Sequence, residues 1–269
     1  MKPAEHSSIR RRQGSSTPKS PLLGGEVPKE VIEKREKLWR RIYEYQGMDK
    51  ESILSSIATH MEFSLFSSRN TAVDGDIFQA VALTVRDRLI EMANDTEDIV
   101  IASRCKRVHY LSLEYLMGNA LKNDLTCLRL MDTVRDALED IGYDLNEILE
   151  LERNPGLGTG GLGRLSGAFL DSMATLNYPA TGYGIRYVYG SFAQRIENGV
   201  QVEYPDNWLE KGNPWELPRY DRSYVVKLGG TVQSFHDHEG RWHYHWEPET
   251  NVDPTYSFLP RFPATDADT

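Results

Sequence analysis

Cysteine is scarce in this chain: Cys105 and Cys127 are the only two among 269 residues. Two thiols cannot make a disulfide framework, and their spacing is not that of a zinc site, so reduced cysteines are expected. Long apolar runs are absent as well. Nothing approaches the roughly 18 consecutive apolar residues that cross a bilayer, and the opening MKPAEHSSIRRRQGSS lacks the apolar stretch of a secretory signal. The expectation is a cytoplasmic protein with no membrane partner. Positive charge is in deficit, 31 Lys plus Arg against 40 Asp plus Glu for a net −9, which argues against a nucleic-acid partner. What is present is ordinary for a folded protein. At 39% hydrophobic and 26% charged the chain has enough apolar surface for a core, which excludes disorder along its whole length.

Residues 1–28 are the exception. They are rich in Ser, Pro and charge, with Lys2, Arg10, Arg11, Arg12 and Lys19 against Glu5 in the first twenty, and read as a disordered regulatory tail. Arg12 and Ser15 have the R-x-x-S spacing of basophilic kinase sites, which makes Ser15, Ser16 and Thr17 candidate phosphorylation sites; a solvated, unmodified tail is the alternative. From Pro28 the charged stretch with Val31, Leu38 and Ile42 on a helical period reads as a surface helix. Asp49 opens a second helical stretch through Ile53, Ile57 and Met61, and Asp74 onward gives a third with Phe78, Val81, Val85 and Leu89. RVHYLSL (107–113) is the first strand signal and should be buried on at least one face. A helix from Thr133 ends at Gly142, and another begins near Asp144 with Glu147 in capping-box spacing.

The most informative stretch is NPGLGTGGLGRLSGAFLDSMAT (154–175), a glycine-rich turn feeding a helix whose Leu162, Leu165, Phe169 and Met173 fall on one face. Unpaired N–H groups and the positive end of the helix dipole converge there, which suits an anion such as phosphate. The competing reading is a loop that merely packs tightly. Gly158, Gly160 and Gly163 also satisfy G-x-G-x-x-G, but the preceding NEILELERNP is acidic and helix-like where a dinucleotide fold needs a strand. Beyond Tyr183 aromatic and polar residues alternate. A hairpin turns at Asn198-Gly199, and SYVVKLGGTVQSFHDH pairs with RWHYHW across Glu239-Gly240. His236, His238, His243 and His245 crowd this second hairpin; no Cys or carboxylate pattern completes a metal site, so no metal is expected. Trp242, Tyr244 and Trp246 on the opposite face should point to the core. After Trp246 four prolines and no usable period suggest an irregular end over 247–269.

RVHYLSLEYLMG, NPGLGTGGLGRLSGAFLDSMAT, GYGIRYVYGSFAQRI and PDNWLEKGNPWE, in that order, resemble the N-terminal portion of the glycogen phosphorylase (α-1,4-glucan phosphorylase) family, from about Arg35 to Trp246. The resemblance implies an α/β fold over 29–246: a helical N-terminal region leading into a partial Rossmann-like domain of the GT-B type, with antiparallel hairpin excursions. It implies a cytoplasmic glycosyltransferase of glycogen catabolism that releases glucose 1-phosphate from glycogen or maltooligosaccharide with inorganic phosphate. It also implies pyridoxal phosphate as cofactor, allosteric control and a homodimer. By motif match Gly160 and Gly161 would hold phosphate, Leu162 would line the glucose site, and Glu114 would support the same cleft.

The chain departs from the family pattern at Thr159, where Asn is usual, and at Ser166-Gly167, where Ala-Cys is usual. The segment that carries the cofactor-bearing lysine in the family has no counterpart here. The 269-residue chain alone is therefore expected to be inactive, with no complete catalytic set. A truncated homologue that serves as a binding or regulatory module is the alternative.

Overall fold

Two units divide the chain, Met1–Gly47 and Met48–Thr269. The computed structural model describes residues 29–39, 47–68, 70–223, 225–252 and 255–258. The tail, with Ser15, Ser16 and Thr17, lies outside the described residues, as do 259–269. In the first unit, helix α1 (Lys29–Trp39) carries Glu30 in its first turn and Lys37 in its last, each charge opposing the helix dipole end it sits beside.

The second unit is built on five helices. Asp49 starts α2 (Lys50–Thr59) by accepting the Ser52 N–H at 3.0 Å and the Ser52 hydroxyl at 2.7 Å, bonds that hold its carboxyl below the ordinary range. The helix widens at its end into one π turn, His60–Ser64, where the Leu65 N–H reaches back to His60 O at 3.0 Å. His60 Nε2 lies 3.1 Å from Asp87 of the next helix. That helix, α3 (Asp74–Ser103), runs 30 residues and stops at Arg104 in the left-handed conformation. After it come β1 (Val108–Leu111), α4 (Ala120–Cys127), α5 (Met131–Asp140) and α6 (Leu145–Glu150). Gly142, at φ +87°, follows α5, and the Asp144 side chain caps α6 through the Asn146 N–H at 2.7 Å. Ile53 and Ile57 of α2, Val81, Val85 and Leu89 of α3, Leu121 and Leu125 of α4, Val134 and Leu138 of α5, and Leu145 and Ile148 of α6 form the core. The i, i+3/i+4 spacing within each set is the period that faces one side of a helix inward. Lys50 and Asp140 pair across the α2–α5 contact.

Helix α7 (Gly161–Thr175) leads into β2 (Ala180–Tyr183), which pairs in parallel with β1 from Val108↔Ala180 to Leu111↔Tyr183. The remaining described strands form antiparallel pairs: β3 (Ala193–Glu197) with β4 (Val200–Tyr204), β5 (Leu217–Ser223) with β10 (Thr255–Phe258), β6 (Val226–Leu228) with β9 (Thr250–Val252), and β7 (Thr231–His236) with β8 (Trp242–Glu247). Asn198 and Gly199 both have positive φ between β3 and β4, the turn conformation that matches strand twist.

Three expectations change. β1 is largely exposed, Leu111 at 76%, with Tyr110 alone half-buried against Tyr115 and Phe169. On α7, Gly163, Ser166 and Gly167 are buried while Leu162, Leu165 and Phe169 stand about half exposed, because the helix docks through its smallest residues. Trp242, Tyr244 and Trp246 are exposed rather than core-facing; the β7–β8 hairpin pairs only with itself among the described residues. Part of the stretch after Trp246 is strand, β9 and β10, where its prolines suggested irregular chain.

Glu152 ties the helical core to the turn at 208–216. Its carboxylate accepts the N–H of Ala120 at 2.9 Å and of Leu121 at 3.0 Å, satisfying the start of α4, and the Trp215 indole N–H at 3.0 Å. Burial raises its pKa, outweighing those bonds. A raised folded-state pKa means that the folded chain keeps a proton the unfolded chain has released, so stability from this group falls as pH rises from about 4.3, the ordinary glutamate value, through the raised one. Urea unfolding between pH 4 and 7 should show that fall in the parent protein and a flatter curve in Glu152→Gln; parallel curves would refute the assignment. Glu152→Ala should cost about 2 kcal/mol at neutral pH by orphaning buried donors.

Candidate functional site

Glycines decide how α7 meets the strand β1. The chain leaving β1 turns at Ser112, whose hydroxyl donates to Glu114 O at 2.9 Å, and runs alongside the glycine loop. Tyr115 N–H donates to Leu157 O at 2.8 Å and Leu116 N–H to Gly163 O at 2.9 Å. A Cβ at Gly158 would lie 2.8 Å from Leu116 N, and one at Gly167 would lie 2.9 Å from Leu116 O. Both are backbone atoms that cannot swing away, so only glycine permits this approach. Ser166, wholly buried, donates to Ser112 Oγ at 2.8 Å or to Leu162 O at 2.9 Å. Beneath this seam the buried Tyr115 donates its hydroxyl to Tyr110 O at 2.7 Å or to Tyr183 O at 3.1 Å, which joins β1 to β2; burial raises its pKa.

Gly160 and Gly161 behave differently. A Cβ at either would meet nothing within 4 Å, so packing does not demand glycine there. Gly160 O accepts the Arg164 N–H at 2.9 Å and begins the helix. Among the described residues the N–H groups of Gly160, Gly161, Leu162 and Gly163 have no acceptor. The start of a 15-residue helix is therefore bare, with its dipole's positive end toward open space. Glu114 stands at the edge of this opening: its Oε2 accepts the Thr159 N–H at 3.3 Å and packs against Gly163. Leu162 is 58% exposed on the first turn. The structure thus gathers Gly160, Gly161, Leu162 and Glu114 around one opening. That arrangement can accept an oxyanion on backbone donors without a side chain in the way.

The loop comes after α6 and an irregular segment rather than a strand, so the G-x-G-x-x-G spacing does not sit in a dinucleotide-binding turn. The histidines of the β7–β8 hairpin are dispersed: His236 lies against Trp242 with ring centroids 3.7 Å apart, and His243 Nε2 reaches Asp237 at 2.7 Å. That bond holds the Asp237 carboxyl below the ordinary range.

Sequence reasoning missed a cavity of about 310 Å³ between α4, α7 and the 208–216 turn. Tyr115, Leu170, Trp208, Trp215, Arg186 and Glu216 are among its walls. Gly160, Gly161, Leu162 and Glu114 are not. Its walls come from segments up to about a hundred residues apart, and no local pattern announces them.

The family described as carbohydrate phosphorylase matches residues 138–258, a stretch that runs past Trp246. Glycogen phosphorylase 2 of Dictyostelium discoideum is 41% identical over 210 residues, 78% of this chain and 21% of that protein. Glycogen phosphorylase of Chlamydia trachomatis is 46% identical over 191 residues, 71% of this chain and 24% of its own length. Alpha-glucan phosphorylase 1 of Arabidopsis thaliana is 41% identical over 241 residues, 89% and 24%. The chain spans between a fifth and a quarter of the length of these relatives.

The two kinds of glycine give opposite expectations under one substitution. Gly158→Ala should destabilise by about 1–3 kcal/mol through backbone overlap, whereas Gly161→Ala should leave stability within about 0.5 kcal/mol. Thermal unfolding of both variants checks this; equal losses would mean that the helix start is packed rather than open.

Proposed function

From the membership of this chain in the glycogen phosphorylase family, we propose that it carries part of the phosphate and glucosyl binding site of an α-glucan phosphorylase. The reaction is phosphorolysis of the terminal α-1,4 bond of glycogen or a maltooligosaccharide to glucose 1-phosphate. The observation that supports this is the bare start of α7. Inorganic phosphate carries negative charge that must be offset as it approaches the anomeric carbon, and oriented backbone amides in a fixed helix do so without reorganising. In this reading Gly160 and Gly161 donate to phosphate, Leu162 gives the glucosyl ring an apolar neighbour, and the Glu114 carboxylate, through the Thr159 N–H, fixes the loop that presents the amides. The parallel pair β1–β2 with α7 packed on the chain leaving β1 is, on this account, the beginning of a Rossmann-like sheet of the GT-B type.

Family members generally use pyridoxal phosphate. The open amides fit a phosphate group, because a Cβ at Gly160 or Gly161 would meet nothing within 4 Å and no side chain of those two positions stands in its way. When bound, the cofactor supplies a phosphate that donates and accepts a proton. The residues present here bind and orient the substrate phosphate and exclude side chains from its path. Inactivity of the 269-residue polypeptide on its own, cytoplasmic location, dimerisation and control by phosphorylation of Ser15, Ser16 or Thr17 belong to the same proposal. The described residues contain no helix long and apolar enough to cross a membrane.

A chimera tests the reading. Residues 74–246 placed in the corresponding segment of the Chlamydia trachomatis enzyme should yield a protein that forms glucose 1-phosphate from glycogen and phosphate, while the 269-residue chain alone forms none. Gly161→Val in the chimera should lower kcat/KM for phosphate about a hundredfold, the scale of one lost oxyanion donor. A folded, cofactor-loaded chimera without product would overturn the proposal.

A further inference from the structure

Thr159 and Ser166, two of the positions at which this chain departs from the family pattern, stand at the two ends of one hydrogen-bond chain. Ser166 is wholly buried on α7, and its hydroxyl reaches Ser112 Oγ at 2.8 Å. Ser112 holds both peptide groups of Glu114: its Oγ accepts the Glu114 N–H at 3.3 Å, and its hydroxyl donates to Glu114 O at 2.9 Å. The Glu114 carboxylate in turn accepts the Thr159 N–H at 3.3 Å, and Thr159 is the residue before Gly160. We propose that Ser166 is a positioning residue of the anion site. Through Ser112 and Glu114 it sets the Thr159 peptide, and with it the direction of the Gly160 and Gly161 amides. The inference rests on the reading of the bare helix start as a phosphate site and adds the group that holds that site in shape.

Three features make the chain more than a set of local contacts. A serine hydroxyl has one proton and two acceptor positions. With its proton on Glu114 O, Ser112 is left to accept from the Glu114 N–H and from Ser166, so all of its capacity is used and its rotamer is fixed. The second acceptor open to Ser166, Leu162 O at 2.9 Å, lies on the first turn of α7, so Ser166 Oγ sits between Ser112 and the turn that carries the open amides. Glu114 also depends on Ser112 alone. Tyr187 donates its hydroxyl to Leu113 O at 3.0 Å and Tyr115 N–H donates to Leu157 O at 2.8 Å, which fixes the residues on either side, but among the described residues nothing else bonds the Glu114 N–H or carbonyl. Thr159 likewise has one tether: the bond of its N–H to Glu114 is the only hydrogen bond that it makes among the described residues. Where the family has an asparagine side chain, this loop is held from its backbone, and the buried hydroxyl of Ser166 anchors the other end.

The test uses the full 269-residue chain, isotopically labelled, with inorganic phosphate as the probe. Two quantities are read: the phosphate dissociation constant from the Gly160 and Gly161 amide shifts, and the position of the Thr159 amide proton before phosphate is added. Ser166→Ala should weaken phosphate about fivefold, the scale of one net hydrogen bond, and move the Thr159 amide proton upfield as its bond to the carboxylate loosens. Ser112→Ala should do the same, and the double variant should be no worse than Ser112→Ala alone, because both break one chain. Ser56→Ala removes a buried hydroxyl bonded to Ser52 O in the helical core; it controls for lost stability and should move neither quantity. An unmoved Thr159 resonance or an unchanged phosphate constant in folded Ser166→Ala, losses that multiply in the double variant, or equal changes in Ser56→Ala would each overturn the proposal. Should Ser166→Ala fail to fold, Ser112→Ala decides by the same two readings. A parent chain that binds no phosphate would sink the anion-site reading, and the Thr159 resonance in the variants then decides by itself whether Ser166 sets the loop.

Discussion

Close backbone approach is the constraint on which the rest of this site depends. Helix α7 lies against the chain at Tyr115–Leu116 with no side chain between them, and the seam closes because positions 158, 163 and 167 carry no Cβ. Tyr115 N–H to Leu157 O and Leu116 N–H to Gly163 O fix the loop's register. With the seam closed, Gly160 and Gly161 have nothing to pack on, and the first turn of the helix opens outward. One glycine-rich stretch thus does two physical jobs: some positions permit contact, and the others keep a space clear.

The helical core supplies the rigidity that makes such a seam useful. α2 to α6 bury a continuous set of aliphatic side chains, and Glu152 connects the start of α4 to Trp215 on the far wall of the cavity. The glycine loop is therefore held in place beside this core, and the amides and dipole at the start of α7 are left to favour an anion.

Much of this was legible in the sequence, and the remainder was hidden for physical reasons. Asp49, Gly142, Asp144 and Asn198-Gly199 announce caps and turns because their signals are local, and the structure places them accordingly. The density of glycine in 156–163 singled out the loop whose open helix start is the candidate site. The docking face of α7 was not legible because periodicity ranks residues by hydrophobicity, whereas this helix docks through Gly163, Ser166 and Gly167. The same bias put Trp242, Tyr244 and Trp246 in the core, although among the described residues their hairpin has only itself to pair with. β9 and β10 escaped notice because their partners, β6 and β5, lie more than twenty residues upstream and supply the hydrogen bonds that a proline-rich stretch does not advertise. The Arg186–Glu216 pair and the cavity around it are products of tertiary structure alone.

The central claim is that the amides at the start of α7 are donors waiting for an anion. Titrating inorganic phosphate into isotopically labelled protein and following the amide resonances tests it most directly. The account requires saturable shifts at Gly160, Gly161, Leu162 and Gly163, with Gly156 and the cavity residues unmoved. Shifts spread over sites remote from α7, or none at the helix start when phosphate saturates, would contradict it.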